Sequence, residues 1–195
     1  MAAAQFVYRI QKSLYLNVTN RCSNHCRFCI RNHADGLAGY CLILDTEPEF
    51  SDMKEAIAPY LEQVDEIVFC GFGEPTYRVA LMTDVCRWLR QVFEGTIRLN
   101  TNGQGDLING YHILDRLEGL IDQVNISLNA PDSAEYQQLC HSIYGEAAYT
   151  AILDFIEQAR SKIPIVGISA VSTSGVDMDR MEEIARDLGL QFIDR

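Results

Sequence analysis

The sequence lacks a long uncharged apolar run, an excess of positive charge and any low-complexity or linker-like tract, and each absence removes a class of protein. Met1 to Asn20 holds Arg9 and Lys12 inside its apolar stretch, with no basic leader and no long apolar centre. It reads neither as a signal peptide nor as a membrane helix, so no membrane partner is expected and the cytoplasm is the expected compartment. Lys and Arg number 16 against 27 Asp and Glu, a formal net charge of −11. That balance gives no support to a broad phosphate-binding surface, and nucleic acid is not an expected partner. The 7 cysteines are an odd number and too sparse for a disulfide-stapled secreted chain: Cys22, Cys26 and Cys29 crowd together, while Cys41, Cys70, Cys86 and Cys140 are scattered. Metal binding in a reducing compartment is the better reading of the crowd.

What is present is the material of one domain. A chain of 195 residues falls short of two ordinary domains, so residues 1–195 are read as a single one. Short apolar, β-branched runs recur at Ser13–Thr19, Glu66–Cys70, Thr96–Asn100, Gln123–Asn129, Pro164–Val171 and Leu190–Ile193, the pattern of strands buried on both faces. Helical patterns lie between them at Ser51–Val64, Val79–Phe93, Ile108–Leu117, Ser133–Cys140, Ala147–Ser161 and Met178–Leu188. Ser51 and Asp132 are placed to cap helix starts, and Gly189 to end the last helix. Six alternations predict βαβ units and an α/β fold with a mainly parallel six-stranded sheet. They are too few for a closed eight-stranded barrel of about 250 residues, which leaves a partial (βα)6 TIM-like barrel or a doubly wound sheet. In either, chemistry belongs at the C-terminal ends of the strands. The irregular stretch Arg31–Glu49 is long for a βα loop and is a candidate functional segment.

After the first strand the chain reads Cys22-Ser-Asn-His-Cys26-Arg-Phe-Cys29, a Cys-x3-Cys-x2-Cys spacing. Three thiolates on one loop suit three irons of a cubane with one iron left open. An open metal position is what a catalytic site needs and a structural site avoids. The competing assignment is a structural zinc site in which His33 completes a set with Cys22, Cys26 and Cys29. One βα unit later, at the tip of the second strand, stands Cys70-Gly-Phe-Gly-Glu-Pro-Thr76. Its glycines allow close backbone approach, and Glu74 can accept a hydrogen bond from an ammonium group. Zinc binding explains none of that segment. A dinucleotide-dependent oxidoreductase is a third reading, but Gly71-Phe-Gly-Glu-Pro-Thr76 lacks the last glycine of the phosphate fingerprint.

The cysteine loop, with Phe28 before its last cysteine, resembles the signature of the radical S-adenosylmethionine (SAM) superfamily, and Gly71-Phe-Gly-Glu74 resembles that family's Gly-Gly-Glu segment, with Phe72 in place of the second glycine. Phe69–Thr76, Leu99–Gly103 and Val124–Asp132 are similar to the small radical SAM proteins associated with TatD-type nucleases. The resemblance implies an enzyme whose [4Fe-4S] cluster, on Cys22, Cys26 and Cys29, reductively cleaves SAM to a 5′-deoxyadenosyl radical that takes hydrogen from a substrate. It implies that the backbone near Phe28 lies by the adenine and that Gly71, Phe72, Gly73 and Glu74 receive the methionine ammonium. Asn100, Thr101 and Asn102 would reach cofactor or substrate, Ser127 and Asn129 the ribose or the SAM carboxylate, and Val166-Gly-Ile168 the adenine edge. Arg21, Arg27 and Arg31 surround the cluster loop and suggest a docking patch for reduced flavodoxin or ferredoxin. With no added cap domain expected, the barrel side would stay open to a peptide or protein substrate. Cys41 and Cys140 are possible hydrogen donors to a substrate radical, although burial is the ordinary fate of a scattered cysteine. His25 and His33 flank the cluster, with solvent exposure expected.

Overall fold

The computed structural model describes residues 5–32, 36, 37 and 39–195. One sheet organises them: β1 (Val7–Ile10), β2 (Ser13–Leu16), β3 (Glu66–Phe69), β4 (Thr96–Thr101), β5 (Gln123–Ser127), β6 (Ile165–Ala170) and β7 (Gln191–Asp194) lie side by side in chain order. Strands β2 to β7 are parallel throughout, with Leu16 opposite Phe69, Phe69 opposite Leu99, Leu99 opposite Val124 and Val124 opposite Val166. These are the six strands the sequence predicts. The seventh, β1, is antiparallel to β2 and makes the sheet's first edge. Its turn, Gln11-Lys12, places Gln11 in the left-handed region (φ 54) without the Gly, Asn or Asp that usually marks such a hairpin. The sheet is open, as a partial barrel is, because its order starts at β1 and stops at β7.

Seven α-helices among the described residues cover the outer face: α1 (Phe50–Ile57), α2 (Val79–Val92), α3 (Gly105–Asn109), α4 (Leu114–Leu117), α5 (Ser133–Cys140), α6 (Ala147–Lys162) and α7 (Met178–Asp187). Strand side chains alternate in direction. Leu14, Leu16, Ile67, Phe69, Ile97, Leu99, Val124, Ile126 and Ile168 turn outward and merge with Met53, Met82, Leu89, Phe155 and Ile156 of the helices in one buried core. The alternate residues make the inner face, and they are largely polar. Arg98 grips Glu66 through two bonds of 2.7 and 2.8 Å and donates to Asn100 Oδ1 at 3.0 Å, while Ser13 donates to Glu66 at 2.8 Å.

Local signals account for most boundaries. Asp132 caps α5 by accepting from Glu135 N (2.9 Å), and Gly189, at φ 67, follows α7. The cap expected at Ser51 falls instead on Glu49, which pairs reciprocally with Asp52. The helix expected over Ile108–Leu117 is split into α3 and α4, because Gly110 turns left-handed (φ 74) and Asp106 accepts from Ile113 N (3.0 Å). In the long segment after the cysteine loop, Asn20 exchanges two bonds with Leu44 (2.7 and 3.0 Å), and Glu47 bridges Arg21 and Arg78.

Candidate active site

The cysteine loop leaves the C-terminal end of β2 and crosses the sheet to α5. Glu74 N donates to Arg21 O (2.8 Å), His25 N to Cys140 O (2.9 Å), Arg27 N to Leu139 O (2.9 Å) and Ile143 N to Ser23 O (2.9 Å). A buried side-chain network ties it further. Asn102 Nδ2 donates to Ser23 Oγ, Asn24 Nδ2 and Gln104 Nε2 donate to Tyr136 Oη, and Gln104 Nε2 also donates to Asn24 Oδ1, each at 2.8 Å. Ser142 Oγ closes the set on Gln104 Oε1 at 2.9 Å. Ser23, Asn24, Gln104, Tyr136 and Ser142 are positioning residues the sequence reading missed, because they are single polar residues in unrelated segments and no spacing rule joins them.

Cys22, Cys26, Phe28 and Cys29 face one cleft across the strand tips, together with Gly73, Glu74, Asn100, Thr101, Asn102, Ser127 and Asn129. Cys70 and Val171 line it as well. All three cysteines are half-buried free thiols. Burial, with Glu74 nearby, pushes the Cys22 thiol up to about 12. A hydrogen bond with the Cys140 side chain, together with burial, raises that of Cys26. Apo-protein therefore holds these two as thiols, and a bound cation is what would favour their thiolates. Among the described residues no three His, Cys, Asp or Glu side chains are grouped closely enough to hold one metal ion. The ligands of a cubane need not converge in that way, since each thiolate takes a separate iron. The donor set, three soft sulfurs from one loop, fits iron–sulfur binding. His33 lies outside the described residues.

Glu74 is 3% exposed and serves as a hub. Its Oε1 accepts from Thr76 N (3.1 Å), Thr76 Oγ1 (2.7 Å) and Thr101 Oγ1 (2.7 Å), and its Oε2 accepts from Asn102 N (2.7 Å). Burial raises its pKa although these donors favour the carboxylate. The glycines before it are closely packed. A Cβ on Gly71 would overlap Asn17, and one on Gly73 would overlap the carbonyls of Thr19 and Arg21. Their close approach is to the chain entering the cysteine loop, and Gly73 also lines the cleft. Phe72, expected at the ammonium site, turns its ring away to pack with Tyr8 and Leu42. Its ring does not line the cleft. Asn100 is bound by Arg98, and Asn102 is spent on Ser23, Glu74 and Gln104. Ser127 is half-buried. Asn129 is 4% exposed, left-handed (φ 59), and its Oδ1 is buried without a hydrogen-bond partner. Val166, Gly167 and Ile168 lie within β6, where Gly167 makes room for Asn125 Oδ1 and Gln191 O.

Of the three arginines around the loop, Arg21 is held bidentately by Glu47 (3.0 and 3.1 Å) and stacks over Tyr77. Arg31 donates to Asn20 O at 2.9 Å, and Arg27 and His25 are exposed. Cys140 and Cys86 are fully buried, and Cys41 is half-buried. No helix of the described residues is long and apolar enough to cross a membrane.

A mainly parallel α/β sheet, open at both edges, with three cysteines and a buried glutamate around a cleft at its strand tips, defines a class of partial barrels with their chemistry at the strand ends. The family model "Radical SAM superfamily" matches residues 16–188, and the chain belongs to that superfamily of enzymes, whose cofactors are SAM and a [4Fe-4S] cluster. It is 26% identical over 186 residues to the tungsten-containing aldehyde ferredoxin oxidoreductase cofactor-modifying protein of Pyrococcus furiosus, covering 91% of this chain and 48% of the relative. Identity to the GTP 3′,8-cyclase of Corynebacterium glutamicum is 26% over 203 residues, 96% of this chain and 50% of the relative. The chain thus spans about half the length of these curated relatives. The solved structure of native anSMEcpe with bound AdoMet matches with a TM-score of 0.64 over 92% of this chain and 51% of that one, at 14% identity, a likeness of fold.

Proposed function

We infer that residues 1–195 act as one radical SAM core in which Cys22, Cys26 and Cys29 hold the cluster and the cleft beside them receives SAM. When bound, this pair supplies reductive cleavage of the sulfonium to a 5′-deoxyadenosyl radical able to take hydrogen from a substrate. The observation that carries the reading is the convergence of the three thiols with Gly73, Glu74, Asn102, Ser127 and Asn129 at one end of the parallel sheet.

The residues of the chain bind and orient. Glu74 Oε2 has Asn102 N as its partner and retains acceptor capacity for an ammonium group, while Oε1 fixes the turn through Thr76 and Thr101. Asn129 Oδ1, buried and unpaired, is an acceptor waiting for a hydroxyl or ammonium donor. Ser127 lies beside it on the cleft wall, and the half-buried Phe28 supplies an apolar surface for adenine. The substrate meets the inner wall, where the Glu66–Arg98–Asn100 chain favours a polar molecule such as a peptide over a hydrocarbon. Reduced flavodoxin or ferredoxin would dock on the face carrying Arg27 and Arg31. Arg21 adds little to that face, because Glu47 neutralises it.

The reading is tested by anaerobic reconstitution with iron and sulfide followed by metal analysis. Iron and acid-labile sulfide in equal amounts, lost in Cys22→Ala, Cys26→Ala and Cys29→Ala, are expected. Stoichiometric zinc held against added iron would overturn it and favour a structural site.

A further inference from the structure

Cys41 and Cys140 are the thiols the sequence offers as hydrogen donors to a substrate radical, and the structure places neither on the cleft. Cys140 is fully buried, and Cys41 pairs with Gly36 in a separate two-stranded ribbon. Cys86 is buried in the outer core, and Cys22, Cys26 and Cys29 are assigned to iron. The remaining cysteine, Cys70, lines the cleft as a half-buried free thiol. Its place follows from the strand it ends. Ile67 and Phe69 of β3 turn outward into the core, so Glu66, Val68 and Cys70 share the inner face. Phe69 stands opposite Leu99, which puts Cys70 beside Asn100 on that face, and Asn100 lines the cleft too. On one side of this pair lie Glu74 and the cysteine loop, and on the other lies the Glu66–Arg98–Asn100 wall. The backbone of Cys70 is fixed at both ends, its N donating to Leu16 O at 3.1 Å and its O accepting from Tyr8 Oη at 3.0 Å. Asn129 independently marks the cleft as a ligand site: it lines the same cleft, is 4% exposed, and its Oδ1 has no hydrogen-bond partner among the described residues.

We propose that Cys70 is a catalytic residue that gives a hydrogen atom to the substrate radical, so that SAM is consumed as a co-substrate and a solvent-derived hydrogen ends on the product. The proposal deepens the radical SAM reading of the cleft and rests on it. Chemistry singles out this thiol. A donor to a carbon radical must carry an exchangeable X–H bond weaker than the C–H bond it makes. Hydroxyl, amide and guanidinium bonds to hydrogen are stronger, which excludes Thr101, Ser127, the asparagines and Arg195, and among the described residues no tyrosine, tryptophan or histidine lines the cleft. The Cys70 S–H bond meets the condition. In the first transfer the substrate loses a hydrogen atom to the 5′-deoxyadenosyl radical, giving 5′-deoxyadenosine. In the second, a substrate C–H bond forms as the Cys70 S–H bond breaks, which leaves a thiyl radical on Cys70. One electron from the external low-potential donor and one proton from water restore the thiol. Because Cys70 supplies the second hydrogen, 5′-deoxyadenosine keeps the first and SAM is not re-formed. Each turnover takes one SAM and two electrons, and the oxidation state of the substrate is unchanged.

Two measurements test it. Reconstituted protein is treated with iodoacetamide, with and without S-adenosylhomocysteine, and the adduct at each cysteine is read by peptide mass spectrometry. Cys70 should react in the folded protein and be slowed by S-adenosylhomocysteine, while Cys86 and Cys140 react only after unfolding. A Cys70 as inert as Cys86, or equally reactive with S-adenosylhomocysteine present, would overturn its placement in the cleft. SAM and dithionite are then supplied in deuterium oxide with no substrate and no added thiol, so that the radical formed in the cleft meets Cys70 directly, and the deuterium content of the 5′-deoxyadenosine is measured. Wild type and Cys41→Ala should yield deuterated 5′-deoxyadenosine, and Cys70→Ala and Cys70→Ser should both lose the label. Serine keeps the size and hydrogen bonding of the side chain without a weak bond to hydrogen, so a merely structural role would leave Cys70→Ser like wild type. An undiminished label in Cys70→Ser, or no label in wild type, refutes the donor role. If Cys70→Ala does not fold, Cys70→Ser and the wild-type iodoacetamide pattern carry the comparison. A wild type that forms no 5′-deoxyadenosine is a separate result, which removes the SAM reading itself.

Discussion

Replacing Tyr136 by Phe removes one oxygen and tests whether the buried network sets the cysteine loop. That oxygen accepts from Asn24 Nδ2 and from Gln104 Nε2, both at 2.8 Å, in a site with no exposure to solvent. Phe fills nearly the same volume, so no cavity of consequence forms. Two buried amide hydrogens lose their acceptor, and each unsatisfied donor costs about 1–3 kcal/mol. Gln104 Nε2 keeps Asn24 Oδ1 as a second partner, which places the total near the low end, about 2–3 kcal/mol. Asn24 belongs to the cysteine loop, so the loss should also loosen the span from Cys22 to Cys26. The assay is urea unfolding of the apo-protein beside iron uptake, with Tyr111→Phe, a half-exposed ring stacked by Arg116, as the control expected to stay within about 0.5 kcal/mol of wild type. Unfolding free energy and iron uptake both unchanged in Tyr136→Phe would refute the role assigned to the network.

Three further outcomes follow from the geometry. Gly73→Ala should destabilise the protein by about 3 kcal/mol and reduce iron uptake, because its Cβ meets the carbonyls of Thr19 and Arg21, backbone that cannot rotate away; uptake and stability equal to wild type would show that the chain there is free to move. Burial pulls the Glu66 pKa upward, but the bonds from Arg98 and Ser13 outweigh it and leave the group below the usual carboxylate range. The stability it contributes is therefore present at neutral pH and is lost as pH falls from about 4.3 through the folded-state value; in Glu66→Gln the acid limb of an unfolding-free-energy profile should flatten, and an unchanged limb would contradict the assignment. Reversing Arg27 and Arg31 to Glu should slow turnover driven by reduced flavodoxin and spare turnover driven by dithionite, whereas equal loss with both would remove the docking surface.

How far the sequence could be read depended on whether a signal was local. Six parallel strands were legible because each carries closely spaced buried apolar residues: Ile67-Val68-Phe69 is continuous, while Ile97 and Leu99, and Val124 and Ile126, recur at every second position. β1 was not, since Tyr8 and Arg9 dilute its pattern and the Gln11-Lys12 turn carries no glycine. The cysteine spacing and Glu74 were legible because their chemistry lies within a few residues of chain. The orientation of Phe72 toward Tyr8 and Leu42, and the use of Gly71 and Gly73 against Asn17, Thr19 and Arg21, arise between segments far apart in sequence. So does the pairing of Arg21 with Glu47. Burial of a residue can be read from its type, but the identity of its neighbour is set by topology.

The central claim is that three sulfurs beside this cleft hold a cluster which cleaves SAM. It is tested most directly by incubating the reconstituted, oxygen-protected protein with SAM and dithionite and measuring 5′-deoxyadenosine. The account predicts its formation by wild type and its loss in Cys22→Ala, Cys26→Ala and Cys29→Ala. A fully loaded wild-type protein that leaves SAM intact under these conditions would contradict it.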